Sequence, residues 1–301
     1  MLPASAGTRS RRSRIFPFDA MSDGKHAVQR PRRVTGSARP AVPVKREIFN
    51  AIPPGMTRYR CLVAYDGTDF HGWQSQACGL AVQDFLEKRI AQIVREPVRV
   101  HGSGRTDSGV HAKAQCFHFD THWNYPAETL LRALHCGLPA GIHVYRATKA
   151  KDGFHARFSA KGKRYRYRIF QGFASPFDAR YCWGLGDKTL DVPAMERAAK
   201  LLLGVHDFSA FGATHASAER ENPVKDLRRL DVTVRGKNVF VTTEASGYLY
   251  KMVRRLVGGL VRVGLGKWTP EELLAYRDAK ICDARITTAP ARGLFMEKVF
   301  Y

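Results

Sequence analysis

Hydrophobic and polar residues alternate along Arg58–Tyr65, with Tyr59, Cys61, Val63 and Tyr65 on one face. A period of two marks a half-buried strand. Ala81–Val94 changes to helical spacing, with Val82, Phe85, Leu86, Ile90, Ile93 and Val94 near one side. Two strand-like runs follow, Pro97–Val100 and Ala114–Phe119. A helix near Ala127–Cys136 is ended by Gly137 and Pro139, and Ile142–Ala147 reads as a strand. This order of strand, helix, strand, strand, helix, strand suits a ferredoxin-like α+β layer.

The pattern recurs loosely. Lys163–Phe170 predicts a strand, and Val192–Leu203 a helix that stops at Gly204. Leu230–Val234 and Val239–Thr243 form a hairpin across Arg235-Gly-Lys-Asn238. Tyr248–Val263 predicts a helix, with Leu249, Met252, Val253, Leu256, Val257 and Leu260 on its apolar stripe. Arg254, Arg255 and Arg262 fall off it, and a solvated face is expected for Arg255 and Arg262. Thr269-Pro-Glu-Glu272 opens another helix with a capping box and a proline at its first position. Two related α+β halves with antiparallel or mixed sheets are expected, 56–160 and 161–301. The stretch 172–189 reads as an insertion or loop.

Residues 1–55 have neither period and are rich in Arg, Pro, Ser and Ala, a composition that stays disordered. Two readings stay open: an RNA-attracting basic arm, or a start codon placed too early, with Met21 and Met56 as alternative starts. Charge extends beyond this tail. Residues 1–55 hold 11 Lys and Arg against 3 Asp and Glu, and the other 246 residues still carry +14 of the total +22. Such an excess points to a polyanionic partner. No run of about 18 apolar residues exists, so no membrane helix is expected. The six cysteines (61, 78, 116, 136, 182, 282) form no Cys-x-x-Cys pair, and the eleven histidines show no ligand spacing. Buried reduced thiols in a cytoplasmic protein, and no metal site, are the expectation.

The densest chemistry lies in Gly102-Ser-Gly-Arg-Thr-Asp-Ser-Gly-Val-His-Ala112. A phosphate-cradling loop would need a lysine after its last glycine, and none follows Gly109 in that register. A dinucleotide loop would need glycine where Asp107 stands. An aspartate held beside Arg105 stays ionised, which suits a nucleophile or base better than an acid. Farther on, Tyr165, Tyr167 and Ile169 alternate with Arg164, Arg166 and Arg168, so one face can stack on a base while the other meets phosphate or carboxylate. A non-catalytic RNA-binding module would explain the charge and the aromatics but not Asp107 in its loop.

Gly104-Arg-Thr-Asp-Ser-Gly-Val-His111 resembles a motif of the TruA-type tRNA pseudouridine synthases, with Ser108 where the family commonly has Ala. Tyr65-Asp-Gly-Thr-Asp-Phe-His-Gly-Trp-Gln74 resembles the family's opening block. Phe154-His-Ala-Arg-Phe-Ser-Ala160 and Lys163-Arg-Tyr-Arg-Tyr167 resemble its centre. His206-Asp-Phe-Ser-Ala-Phe211 and Met252-Val-Arg-Arg-Leu-Val-Gly258 resemble its later blocks.

The resemblance implies the pseudouridine synthase fold, its two halves forming a central cleft. It implies isomerisation of uridine in the anticodon arm of tRNA, without cofactor or metal, by a homodimer. Asp107 is then the catalytic residue, as nucleophile or as base at the sugar, and Arg254 its pairing partner. Arg105 helps hold the flipped nucleotide, Tyr165 stacks on the uracil, and Leu294 walls the base pocket. Phe154, His155, Ala156, Arg157 and Phe158 contact RNA, with Arg157 a phosphate ligand and Phe158 also suiting a core position. The loop 214–223 matches an RNA-contacting loop poorly, and nothing is assigned there.

Overall fold

A computed structural model describes residues 51–213 and 221–301. The proposed tail up to residue 50 and most of the loop 214–223 lie outside these residues. Among them, a ten-stranded mixed sheet forms the frame.

The first half runs β1 (Thr57–Tyr65), α1 (Val82–Val94), β2 (His101–Gly102), β3 (His111–Thr121), α2 (Ala127–His135) and β4 (Ile142–Lys149). β1 lies between β3 and β4, antiparallel to both. The period read in β1 holds: Tyr59, Cys61 and Val63 are fully buried and Tyr65 nearly so. Arg58 is also buried, because its guanidinium forms a two-point ion pair with Asp120 at 2.7 and 2.8 Å.

Pro97–Val100 does not become a strand. The Val100 N–H donates to Glu87 Oε1 at 2.9 Å, and its carbonyl accepts from Gln83 Nε2 at 3.1 Å. Side chains of α1 satisfy the groups that a ladder would have used, and only His101 and Gly102 pair with β3.

The second half runs β5 (Gly162–Phe170), α3 (Pro176–Ala179), β6 (Trp183–Gly184), α4 (Val192–Leu201), β7 (Gly204–Asp207), β8 (Val224–Arg235), β9 (Asn238–Ala245), α5 (Met252–Gly264), α6 (Pro270–Ala279) and β10 (Leu294–Phe300). The hairpin register is the one the alternation predicts, with Val234 opposite Val239 and Val232 opposite Val241. Thr269 and Glu272 cap α6 reciprocally. Helix α5 starts four residues later than its apolar period suggests. Lys251 sits at φ 60°, a left-handed conformation that breaks the helix before Met252.

Strand order is β4-β1-β3-β10-β5-β9-β8-β7. β10 joins the halves: Phe295 and Met296 pair parallel with His111 and Ala112, while Leu294 and Met296 pair antiparallel with Tyr167 and Tyr165. β2 and β10 therefore share one edge of β3. The loop between β2 and β3, which carries Asp107, stands at this seam.

Two further expectations change. Cys61, Cys116 and Cys182 are buried, but Cys78, Cys136 and Cys282 are exposed. Arg255 is not solvated. It is 6% exposed and donates to the carbonyls of Asp283 and Ile286 and to the Tyr276 hydroxyl at 2.8, 3.3 and 2.8 Å. A guanidinium can be buried between helices when fixed acceptors meet its N–H groups.

Candidate active site

The loop between β2 and β3 is clamped from several sides. The buried Gln115 donates to the Gly104 carbonyl at 2.8 Å, and Ser103 N–H to Cys116 O at 2.8 Å. Tyr65 and Thr106 hydroxyls meet at 2.8 Å, and Trp73 N–H donates to Thr106 O at 3.1 Å. Val110 N–H closes the turn on the Asp107 carbonyl at 3.1 Å.

Gly72 shows why the opening motif and this loop occur together. It adopts φ +78°, and a β-carbon there would lie 2.6 Å from Thr106 O. Only glycine allows both the conformation and the approach. The resemblance linked the two motifs through a shared family; their physical link is that the first segment is the mould for the second.

From the opposite half, α5 brings Arg254 to this turn. Its Nη1 donates to Asp107 Oδ2 at 2.7 Å, and its Nε donates to the Ala289 carbonyl at 2.7 Å. Their side chains are 15% and 21% exposed, so the pair is partly open to solvent rather than sealed inside the core. Arg105 does not supply the charge expected of it beside Asp107. It is exposed, and its Nε reaches Gln74 Oε1 at 3.2 Å.

Tyr165 lies on β5 and is 7% exposed. Burial raises its phenol pKa well above the usual value, and the negative charge of Asp107 is near enough to add to this. Tyr248 packs edge-on against its ring at 5.2 Å. Leu294 is 5% exposed and pairs with Tyr167, diagonally across from Tyr165 on the shared face of β10 and β5. A β-carbon at Gly293 would strike the Tyr167 ring at 2.6 Å, so β10 packs flat against this wall. Asp107, Arg254, Tyr165 and Leu294 thus come from four elements that meet at the β10 seam.

The segment 154–158 is divided. His155 and Ala156 are buried, and the Ala156 N–H donates to His118 Nδ1 at 3.1 Å. His155 Nδ1 accepts from the N–H of Arg157 at 3.1 Å and of Phe158 at 3.3 Å. Phe154 is half-buried under Arg60, while Arg157 and Phe158 face outward. The core position weighed for Phe158 is therefore filled by its neighbours, because this short turn folds around the histidine ring. Burial, followed by the charges of His155 and Arg58, pulls His118 down to about 2. His155 is pulled to about 4 by burial and then His101 and Arg58. Among the described residues, no group of three or more His, Cys, Asp or Glu is placed to hold a metal ion.

A family model described as tRNA pseudouridine synthase matches residues 62–159 and 198–301. The chain is 42% identical over 248 residues to tRNA pseudouridine synthase A of Paramagnetospirillum magneticum, covering 82% of this chain and 96% of that protein. It is 40% identical over 247 residues to the protein of the same name from Thermoanaerobacter sp. strain X514, covering 82% of this chain and all of the relative. It is 41% identical over 251 residues to the Rhizobium meliloti protein of that name, again covering 82% of this chain and all of the relative. With the matched segments carrying the clamped loop on one side and the arginine that reaches into it on the other, the chain belongs to the tRNA pseudouridine synthase family.

Proposed function

We propose that this protein isomerises uridine to pseudouridine in the anticodon arm of tRNA, with Asp107 as the nucleophilic residue. The reaction breaks the bond from uracil N1 to ribose C1′ and forms one from C5 to C1′; the C5 hydrogen leaves as a proton and N1 gains one, so the composition of the substrate is unchanged. The observation that carries this reading is the ion pair of Asp107 with Arg254 at 2.7 Å, beside a wall of Tyr165 and Leu294.

A uridine stacked in RNA cannot reach a carboxylate in such a cleft, so the nucleotide flips out. Tyr165 offers its ring to the base, with its hydroxyl kept protonated by burial. Arg254 fixes the carboxylate by one nitrogen while the Ala289 carbonyl fixes the arginine by another. Arg105 is exposed on the same loop and free of any ion pair among the described residues, which suits a hold on the displaced strand. Arg157 and Phe158 offer a cation and an aromatic face to the RNA backbone and bases. The net charge of +22 supports a nucleic-acid partner. Among the described residues no helix is long and apolar enough to cross a membrane. Action in the cytoplasm, as a homodimer, completes the reading.

The test is to incubate purified protein with tRNA transcribed from unmodified nucleotides and to map pseudouridine by carbodiimide labelling and primer extension. Stops confined to the anticodon arm are expected. No stop anywhere, at enzyme in excess over tRNA, overturns the proposal.

A further inference from the structure

Strand alternation puts Lys163 on the same face of β5 as Tyr165, two residues before it. The three arginines of this strand face the other way and meet polar partners. Arg164 Nε reaches Glu244 at 2.6 Å, Arg166 Nε reaches Thr242 at 3.4 Å, and Arg168 Nε reaches Asn238 at 2.7 Å. Lys163 has no such partner. Its ammonium makes no ion pair or hydrogen bond to any described residue.

The ammonium has a fixed place nonetheless. A β-carbon at Gly104 would meet Lys163 Nζ at 2.5 Å. The lysine thus reaches from the second half across to the catalytic loop, three residues before Asp107, and glycine at 104 makes the room. The charged groups around it are Arg157 from the 154–158 turn, Lys225 from β8, and Glu221, with the Tyr248 phenol donating to the Lys163 carbonyl at 3.3 Å. Two of the three charges are cations. Burial, then repulsion from Arg157, pulls the ammonium down to about 8.

A part-buried cation that faces other cations and lacks a paired acid is costly to hold, unless an anion arrives with the substrate. We propose that Lys163 is a positioning residue, which grips a phosphodiester oxygen beside the flipped nucleotide and so sets the strand against Asp107. This rests on the tRNA reading above. Lysine suits the task, as a compact point charge that binds phosphate. At neutral pH it is protonated and acts as a cation rather than as a proton acceptor.

Binding of fluorescent tRNA by wild type, Lys163→Gln, Lys163→Arg and Lys225→Arg, measured from pH 6.5 to 9.5, tests this. The wild-type Kd is expected to rise about fivefold between pH 7 and 9 as the amine loses its proton. Lys163→Arg should bind as wild type does at pH 7 and stay flat over that range, while Lys225→Arg keeps the rise. Lys163→Gln should bind about tenfold more weakly at pH 7, with the slope of log K against log salt smaller by about 0.7. A Lys163→Arg profile that rises as in wild type overturns the inference, even if the Gln variant fails to fold. So does a folded Lys163→Gln with wild-type Kd and slope. Pseudouridine formation by wild type on the same tRNA is measured alongside. Its absence strikes the tRNA reading, whereas its presence with unaffected Lys163 variants strikes this inference alone.

Discussion

Asp107 and Arg254 are 147 residues apart in the chain and 2.7 Å apart in space. One stands on a turn between two strands of the first half, the other in the first turn of α5 in the second. The arginine is itself tied to the Ala289 carbonyl, just ahead of β10. The segment that leads into β10 therefore also helps aim the cation that orients the carboxylate.

Asp107→Asn should abolish turnover and leave tRNA affinity within about threefold of wild type, since the amide keeps the shape and loses the charge and nucleophilicity. Filter binding together with pseudouridine mapping separates the two. Turnover near the wild-type rate would remove Asp107 from its role.

Arg254→Ala and Arg255→Ala should fail in different ways. Loss of Arg254 leaves Asp107 without its partner, and the single-turnover rate at saturating enzyme should fall by about 10²-fold or more, with little change in melting temperature. Loss of Arg255 strips charged hydrogen bonds from the Asp283 and Ile286 carbonyls and Tyr276, at a cost on the order of 3 kcal/mol. That corresponds to a melting temperature lower by roughly 6–10 °C. Equal rate loss in both variants, with equal melting, would contradict the burial of Arg255.

Gly72→Ala tests the mould beneath the catalytic loop. Alanine would have to hold φ +78° with its methyl 2.6 Å from Thr106 O. Strain of about 1–3 kcal/mol is expected, with the loop displaced and kcat reduced more than tRNA affinity. Unchanged kcat with unchanged stability would show that the opening segment does not support Asp107.

Acid should loosen the 154–158 turn. His118 and His155 are neutral acceptors when folded, held down to about 2 and about 4. A histidine with a depressed folded pKa adds stability that is whole above its unfolded pKa near 6.5, and that declines as pH falls below it. Each histidine should lose about 2 kcal/mol between pH 6.5 and pH 5. Thermal melts across this range measure the loss. His118→Asn keeps an acceptor for the Ala156 N–H without a titrating ring, and should remove its share of the loss while that of His155 remains.

The sequence by itself determined the elements and the chemical parts. Period-two and helical spacing marked β1, α1, β5 and the β8–β9 hairpin, because each buries one face and the pattern is local. The glycine-rich loop announced Asp107, and resemblance to a family pointed to Arg254, Tyr165 and Leu294. What the spacing did not hold is what depends on contacts far along the chain. Val100 reads as strand but spends its hydrogen bonds on α1 side chains. Arg255 reads as solvated but is buried, because acceptors from 276–286 happen to surround it. Lys163 reads as the first residue of a predicted strand, yet it stands across from Gly104. Only the tertiary structure showed that Arg105 makes no ion pair with Asp107, since a guanidinium answers to the acceptors within reach and not to its neighbours in sequence. Arg105, two residues from Asp107, turns to Gln74, and Arg254 fills the place.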